Sequence, residues 1–151
     1  MLKNARKVIN TKIFKANTGE YLGRLWDISF SPEGEIRGYC MKTDSIVPLD
    51  VWICPGMVRE TGKGKMYVNE ISEEKESHPI TFKKDIKKKD IYENGVKAGI
   101  GRDMIFDIET GEIKGFLYAE NIFSKPRLTE TNKIELLGKN KGVKFERSGK
   151  I

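Results

Sequence analysis

Gly34-Glu35-Ile36-Arg37-Gly38-Tyr39 returns 77 positions later as Gly111-Glu112-Ile113-Lys114-Gly115-Phe116. Upstream of it, Gly19, Gly23 and Asp27 recur 76 positions on as Gly95, Gly99 and Asp103, so one inserted residue separates the two registers. The 151-residue chain is a duplication of one small unit. Two units of ~75 residues each lie near the lower limit for an independent core, so the copies are expected to bury apolar surface against each other or against a short shared segment.

Outward from the repeat, Trp26-Asp27-Ile28-Ser29-Phe30-Ser31 alternates apolar and polar residues, the period of a strand with one buried face. Met104, Phe106 and Ile108 keep that phase in the second copy, opposite Asp103 and Asp107. Pro32-Glu33-Gly34 and Glu109-Thr110-Gly111 carry turn chemistry, and returning strands are predicted over 36–41 and 113–118. An earlier strand pair is joined through residues 15–19 in the first copy and through the tight-turn signal Glu93-Asn94-Gly95 in the second. Gly38 and Gly115 fall inside strands, where glycine marks a bulge, a bend or the close approach of another backbone. A helical turn is predicted at Leu49-Asp50-Val51-Trp52, and a further hairpin over 57–69 around Gly62-Lys63-Gly64. Weaker strands are expected over 134–137 and 143–146. Residues 72–79 have linker composition, which puts the boundary between copies near residue 78, with units 1–78 and 79–151.

Hydrophobic residues make up 38% and charged residues 33% of the chain, too patterned for disorder, and no apolar run approaches the roughly 18 residues of a membrane span. The opening residues 1–7 have positive charge without an apolar stretch behind them, so a soluble, cytoplasmic protein is expected. The net charge of +6 is uneven: residues 1–79 carry 12 positive and 11 negative side chains, residues 80–151 carry 16 and 11. That excess points toward an anionic partner, although lysine-rich surfaces without one are common.

Two cysteines and one histidine restrict the chemistry. Cys40, Cys54 and His78 match no zinc spacing and are one ligand short of a tetrahedral site, so no metal and no cofactor is expected. Cys40 alternates in phase with Ile36 and Gly38 and reads as a small buried side chain; Cys54 reads as structural beside Pro55-Gly56. His78, beside Pro79, reads as a solvent-exposed bystander rather than a catalytic base. Asp27 and Asp103 occupy the same point of each copy, which favours turn capping or pairing with a basic residue over acid/base work. Gly99-Ile100-Gly101 has no helix after it and is no nucleotide fingerprint. No enzyme activity is expected.

Thr18 to Gly23 (Thr-Gly-Glu-x-x-Gly), Asp27, Gly34 to Gly38 (Gly-Glu-Ile-x-Gly) and Val47-Pro48-Leu49-Asp50 together resemble the PRC-barrel family. Both copies carry the first part of the pattern; the second departs from it at Phe123-Ser124-Lys125-Pro126-Arg127. The resemblance implies an all-β protein of two small antiparallel PRC-like barrels in tandem with little helix. It also implies an adaptor engaging another macromolecule, as barrels of this family do in the photosynthetic reaction-centre H subunit and in a ribosome maturation factor. An unidentified protein partner is expected first, with RNA or the ribosome as the alternative, no membrane span, and a homodimer left open.

The alternative rests on two basic segments. Lys83, Lys84, Lys87, Lys88 and Lys89 introduce the second copy, and Lys139, Lys141, Lys144, Arg147 and Lys150 crowd its end. If converged they would hold phosphates by counterion release. Phe82, Tyr92 and Phe145 are the nearby aromatics, each read as core rather than as a stacking platform.

Overall fold

The computed structural model describes residues 1–60, 64–69, 78–130, 133–137 and 142–146. The turn at Gly62-Lys63 and the linker at 72–77 lie outside them. The first copy begins with β1 (Leu2–Asn4) and one helical turn, α1 (Ala5–Val8). Then come β2 (Lys12–Lys15), β3 (Tyr21–Phe30), β4 (Ile36–Thr43), β5 (Asp50–Ile53), β6 (Val58–Glu60) and β7 (Lys65–Val68). The second copy begins with a π-helical turn at Phe82–Ile86. It continues through β8 (Asp90–Glu93), β9 (Val96–Asp107), β10 (Ile113–Ala119), β11 (Arg127–Thr129), β12 (Lys133–Leu136) and β13 (Val143–Glu146).

The two sheets obey one wiring rule. The first runs β5-β4-β3-β2-β7-β6, and the second runs β11-β10-β9-β8-β13-β12, the same order with each strand replaced by its repeat. The hairpin turns follow from sequence: Asn94 and Gly95 take φ values of 52° and 77°, the left-handed pair that an Asn-Gly turn supplies. The in-strand glycines mark irregular pairing and close approach. A register shift falls beside Gly115 in β9/β10, and a Cβ there would run into the Thr129 carbonyl oxygen.

Three expectations are corrected. The sheets are mixed rather than purely antiparallel, because β2 pairs parallel to β7 and β8 parallel to β13. The reason is the corner at Pro55–Met57, a 3-10 turn that carries the chain on from β5 to β6 in the same direction, so that the β6/β7 hairpin arrives with β7 parallel to β2. Nor do the sheets close into barrels: β5 and β6 stay at opposite ends of their path, with the corner between them. The predicted helical turn at 49–52 is instead β5, whose Val51 and Ile53 lie opposite Met41 and Tyr39 on β4. β-branched residues with strand partners override a weak local turn signal.

The copies meet about an internal pseudo-two-fold. Ile36 N donates to Gly111 O (2.7 Å) and Ile113 N to Gly34 O (2.8 Å), so each glycine-turn strand docks on the other. Behind them Phe30 packs on Phe116 (ring centroids 6.0 Å apart) and Tyr39 on Phe106 (6.4 Å). Phe30 and Phe106 are repeat counterparts, as are Tyr39 and Phe116, so one contact is made twice in opposite senses, like an isologous dimer interface within one chain. All four rings are buried, each worth roughly 1.5–3 kcal/mol of apolar transfer.

The arms that open each copy are exchanged. β1 pairs with β9 of the second copy, Lys3 opposite Phe106. Reciprocally, the segment before the π turn lies on β3 of the first copy: Phe30 N donates to Ile80 O (3.1 Å), and Thr81 bridges Ser29. The two repeat aspartates lock this exchange. Asp103 Oδ1 accepts from Arg6 N (3.0 Å) and Met104 N (2.8 Å), and its Oδ2 from Asn4 Nδ2 (3.1 Å). Asp27 Oδ1 accepts from Lys83 N (3.1 Å) and Ile28 N (2.8 Å). Each buried carboxylate thus satisfies donors at the start of the other copy's helical turn.

Candidate functional site

Chemistry specific to this chain has to lie where the copies differ. The first difference is one of length. α1 has four residues and the π turn has five, an insertion of the kind that produces π geometry. After it the chain enters the left-handed region in both copies, at Asn10 (φ 76°) and at Lys88 (φ 62°). The extra residue needs space on β9. Gly101 provides it, because a Cβ at that position would fall inside the Ile86 carbonyl oxygen, whereas Leu25 stands at the equivalent place on β3.

Two grooves flank the helical turns. In the first, Trp26 is partly exposed and carries two ammonium groups over its ring, Lys83 Nζ at 3.2 Å and Lys42 Nζ at 3.9 Å from the centroid. Burial against the indole lowers the Lys83 pKa below the ordinary lysine value, with Asp27 opposing the shift. In the second groove, Arg102 replaces Trp26 and Arg6 replaces Lys83. Arg6, Lys87, Lys88 and Arg102 together line a cavity of about 300 Å³ whose remaining walls are Ile100, Gly101 and Ile122. Arg102 Nη2 donates to Asn121 O (2.7 Å), which fixes its reach. None of these four cations is ion-paired with a described residue.

The basic run therefore does not act as one face. Lys83 covers Trp26, while Lys84 Nζ is held by Pro79 O (2.5 Å) and Asp85 (3.7 Å). Lys87 and Lys88 face the arginine groove. Lys89 is pinned through its backbone, accepting from Gly101 N (2.8 Å). Lys144 lies on β13 opposite Glu135 of β12. Lys139, Lys141 and Arg147, with Lys150, lie outside the described residues. Of the aromatics considered with this run, Phe82 and Phe145 are core and Tyr92 is half-buried. Sequence reading missed Arg6 and Arg102, single cations nearly 100 positions apart; at the 76-residue register Lys83 aligns with Lys7, and its equivalence with Arg6 shows only in the structure, where Lys83 N meets Asp27 as Arg6 N meets Asp103.

His78 corrects the expectation of a solvent-exposed bystander. Its ring stacks on Trp52 at 4.0 Å between centroids and 17° between planes, and its Nδ1 lies 2.6 Å from Ser29 Oγ. Gly38 permits this approach, since a Cβ there would come within 2.7 Å of His78 Cε1. Ser29 is 1% exposed, so its hydroxyl is closed to a substrate and the pair ties the boundary between the copies to the first sheet. Cys40 lies beside it, opposite Trp52, buried, with its thiol pushed up to about 12 by desolvation first and by Asp50 and Asp27 after it. Cys54 is exposed, and both cysteines are free thiols.

The loops leaving β4 and β10 are the other prominent surface. Ile46, Val47 and Leu49 project from the first, and Ile122 and Phe123 from the second, with Phe123 the repeat counterpart of Ile46. Among the described residues no group of His, Cys, Asp and Glu side chains is arranged to hold a metal, and no helix is long and apolar enough to cross a membrane. No family model matches this chain, and no curated protein matches it.

Proposed function

We propose that the chain is an adaptor of two tandem mixed β-sheets, related to the PRC-barrel family by its repeat motif, that binds a protein partner through the loops after β4 and β10. The observation that carries this reading is the pair of equivalent loops whose apolar tips stand in solvent, Ile46 essentially fully exposed and Phe123 at 91%. Isolated exposed apolar residues are ordinary; the same loop exposing them in both copies supports a shared binding role. The net charge of +6 favours a partner with an acidic rim around an apolar centre. The enclosed Ser29 hydroxyl supports a non-catalytic role.

The experiment compares partners captured from the native cell by the wild-type protein and by an Ile46→Ser/Phe123→Ser variant, together with sedimentation of both. A partner bound by purified wild type and lost by the equally stable variant supports the proposal. A wild-type homodimer that the variant dissociates would assign the loops to self-association instead.

A further inference from the structure

We infer that the groove formed by Arg6, Lys87, Lys88 and Arg102 is a binding site for a small organic diphosphate. The groove adjoins the loop after β10, sharing Ile122 with it, but the ligand reading does not depend on the adaptor role. Its four cations come from three stretches of chain: the exchanged arm of the first copy, the end of the π turn, and β9. Four like charges around one cavity repel each other, and with no ion pair to a described residue their mutual repulsion is relieved by an anion.

Charge and shape narrow the ligand. A phosphomonoester carries close to two negative charges near neutral pH and a diphosphate ester close to three, so a diphosphate balances four cations more nearly than a single phosphoryl group does. Arg6 and Arg102 offer planar guanidinium forks suited to bidentate phosphate contact, while Lys87 and Lys88 supply point charges. A volume of about 300 Å³ is at the small end of ligand pockets, and Ile100 and Ile122 provide apolar wall for a short organic group. Among the described residues no aromatic side chain lines the cavity, so none of them stacks a base there. A nucleic-acid backbone would need a continuing cationic track, and Lys83 and Lys84, the next cations upstream, are engaged with Trp26 and with Asp85 and Pro79.

The backbone around the groove is held in a turn that both copies share, left-handed at Asn10 in one and at Lys88 in the other. Lys88 holds a left-handed φ of 62°, a region a lysine occupies at some cost, and its N–H is fixed to Gly101 O at 2.9 Å. The pseudo-equivalent groove has Ile9, Asn10 and Trp26 in place of Lys87, Lys88 and Arg102 and cannot bind the same group.

The test is calorimetric titration of the full chain with pyrophosphate, with isopentenyl diphosphate and with a short single-stranded RNA, at low and moderate salt. Wild type is expected to bind both diphosphates at one site. Lys88→Gly removes a cation and relieves the left-handed backbone, so it should weaken binding by about tenfold or more while leaving the melting temperature unchanged or higher. Arg102→Trp, which installs the other copy's residue, should abolish binding. Lys114→Gln, an equal charge loss at the Glu112 pair elsewhere on the surface, should leave binding intact. The inference is overturned if neither diphosphate binds at low salt, if Lys114→Gln weakens binding as much as Lys88→Gly, or if RNA binds this groove and the diphosphates do not.

Discussion

The two grooves beside the exchanged helical turns share a backbone frame and differ in chemistry. Beside each lies a buried repeat aspartate, Asp27 or Asp103, and the residue just before it, Trp26 or Arg102, faces the groove. In the first copy that residue is Trp26, which absorbs the charge of Lys42 and Lys83 on its ring; in the second it is Arg102, which adds charge to a groove already holding three cations. Duplication held the residues that fasten the arms and released their immediate neighbours. A structural aspartate and a ligand-facing cation can thus be adjacent in sequence and answer to different demands.

That comparison breaks most severely at Gly101. Gly101→Leu, which installs the first copy's Leu25, places a side chain into the Ile86 carbonyl and is expected to cost about 3 kcal/mol or more by urea unfolding. The same variant lacking Lys84, with the helical turn shortened to the length of α1, should recover much of the loss; no recovery would mean that the π insertion is not what requires glycine. Next in size are the carboxylates. Asp103→Ala and Asp27→Ala each orphan buried donors, at about 1–3 kcal/mol apiece, with Asp103 the costlier because it accepts three bonds against two. Equal losses would remove the asymmetry claimed between the joints.

A smaller effect is expected at Trp26. Trp26→Ala should cost about 1 kcal/mol and return the Lys83 ammonium toward the ordinary lysine range, which NMR titration of its side chain reads directly. The smallest separates Cys40 from its counterpart Leu117. Burial pushes the Cys40 thiol from an ordinary 9.0 up to about 12, so the folded chain holds the proton more tightly. Its contribution to stability is complete below pH 9 and is lost as the pH climbs toward 12. Cys40→Leu should flatten that loss without altering stability at pH 7, and in the native wild type iodoacetamide should modify Cys54 alone.

Much of this fold was legible from residues. The repeat, the Asn94-Gly95 turn and the strand glycines follow from local rules that act over a few positions; a capping role for Asp27 and Asp103 was expected, but the turns they cap belong to the other copy. The parallel pairing was not legible, because it depends on how the corner at Pro55–Met57 steers the chain, and a corner's direction leaves no periodic mark. The exchange of arms was hidden for a different reason: in a duplicated sequence β1 matches either sheet equally well. The arginine groove shared that obstacle, since Lys87 and Lys88 were visible as a run while Arg6 reaches them only through the exchange. His78 was misread because neighbouring linker composition says nothing about a ring that stacks on Trp52.

The exchanged arm also sets an order of events during synthesis. Asn4 and Arg6 leave the ribosome early, yet the carboxylate that fastens them, Asp103, is 99 and 97 positions away. Joining ends that distant carries a loop-closure cost that local hairpins avoid, and contacts of such separation slow folding. The first sheet can assemble while its own opening segment waits unpaired, and the arm can dock only after β9 has emerged. An exposed strand edge during that interval is a site where two nascent chains can trade arms with each other.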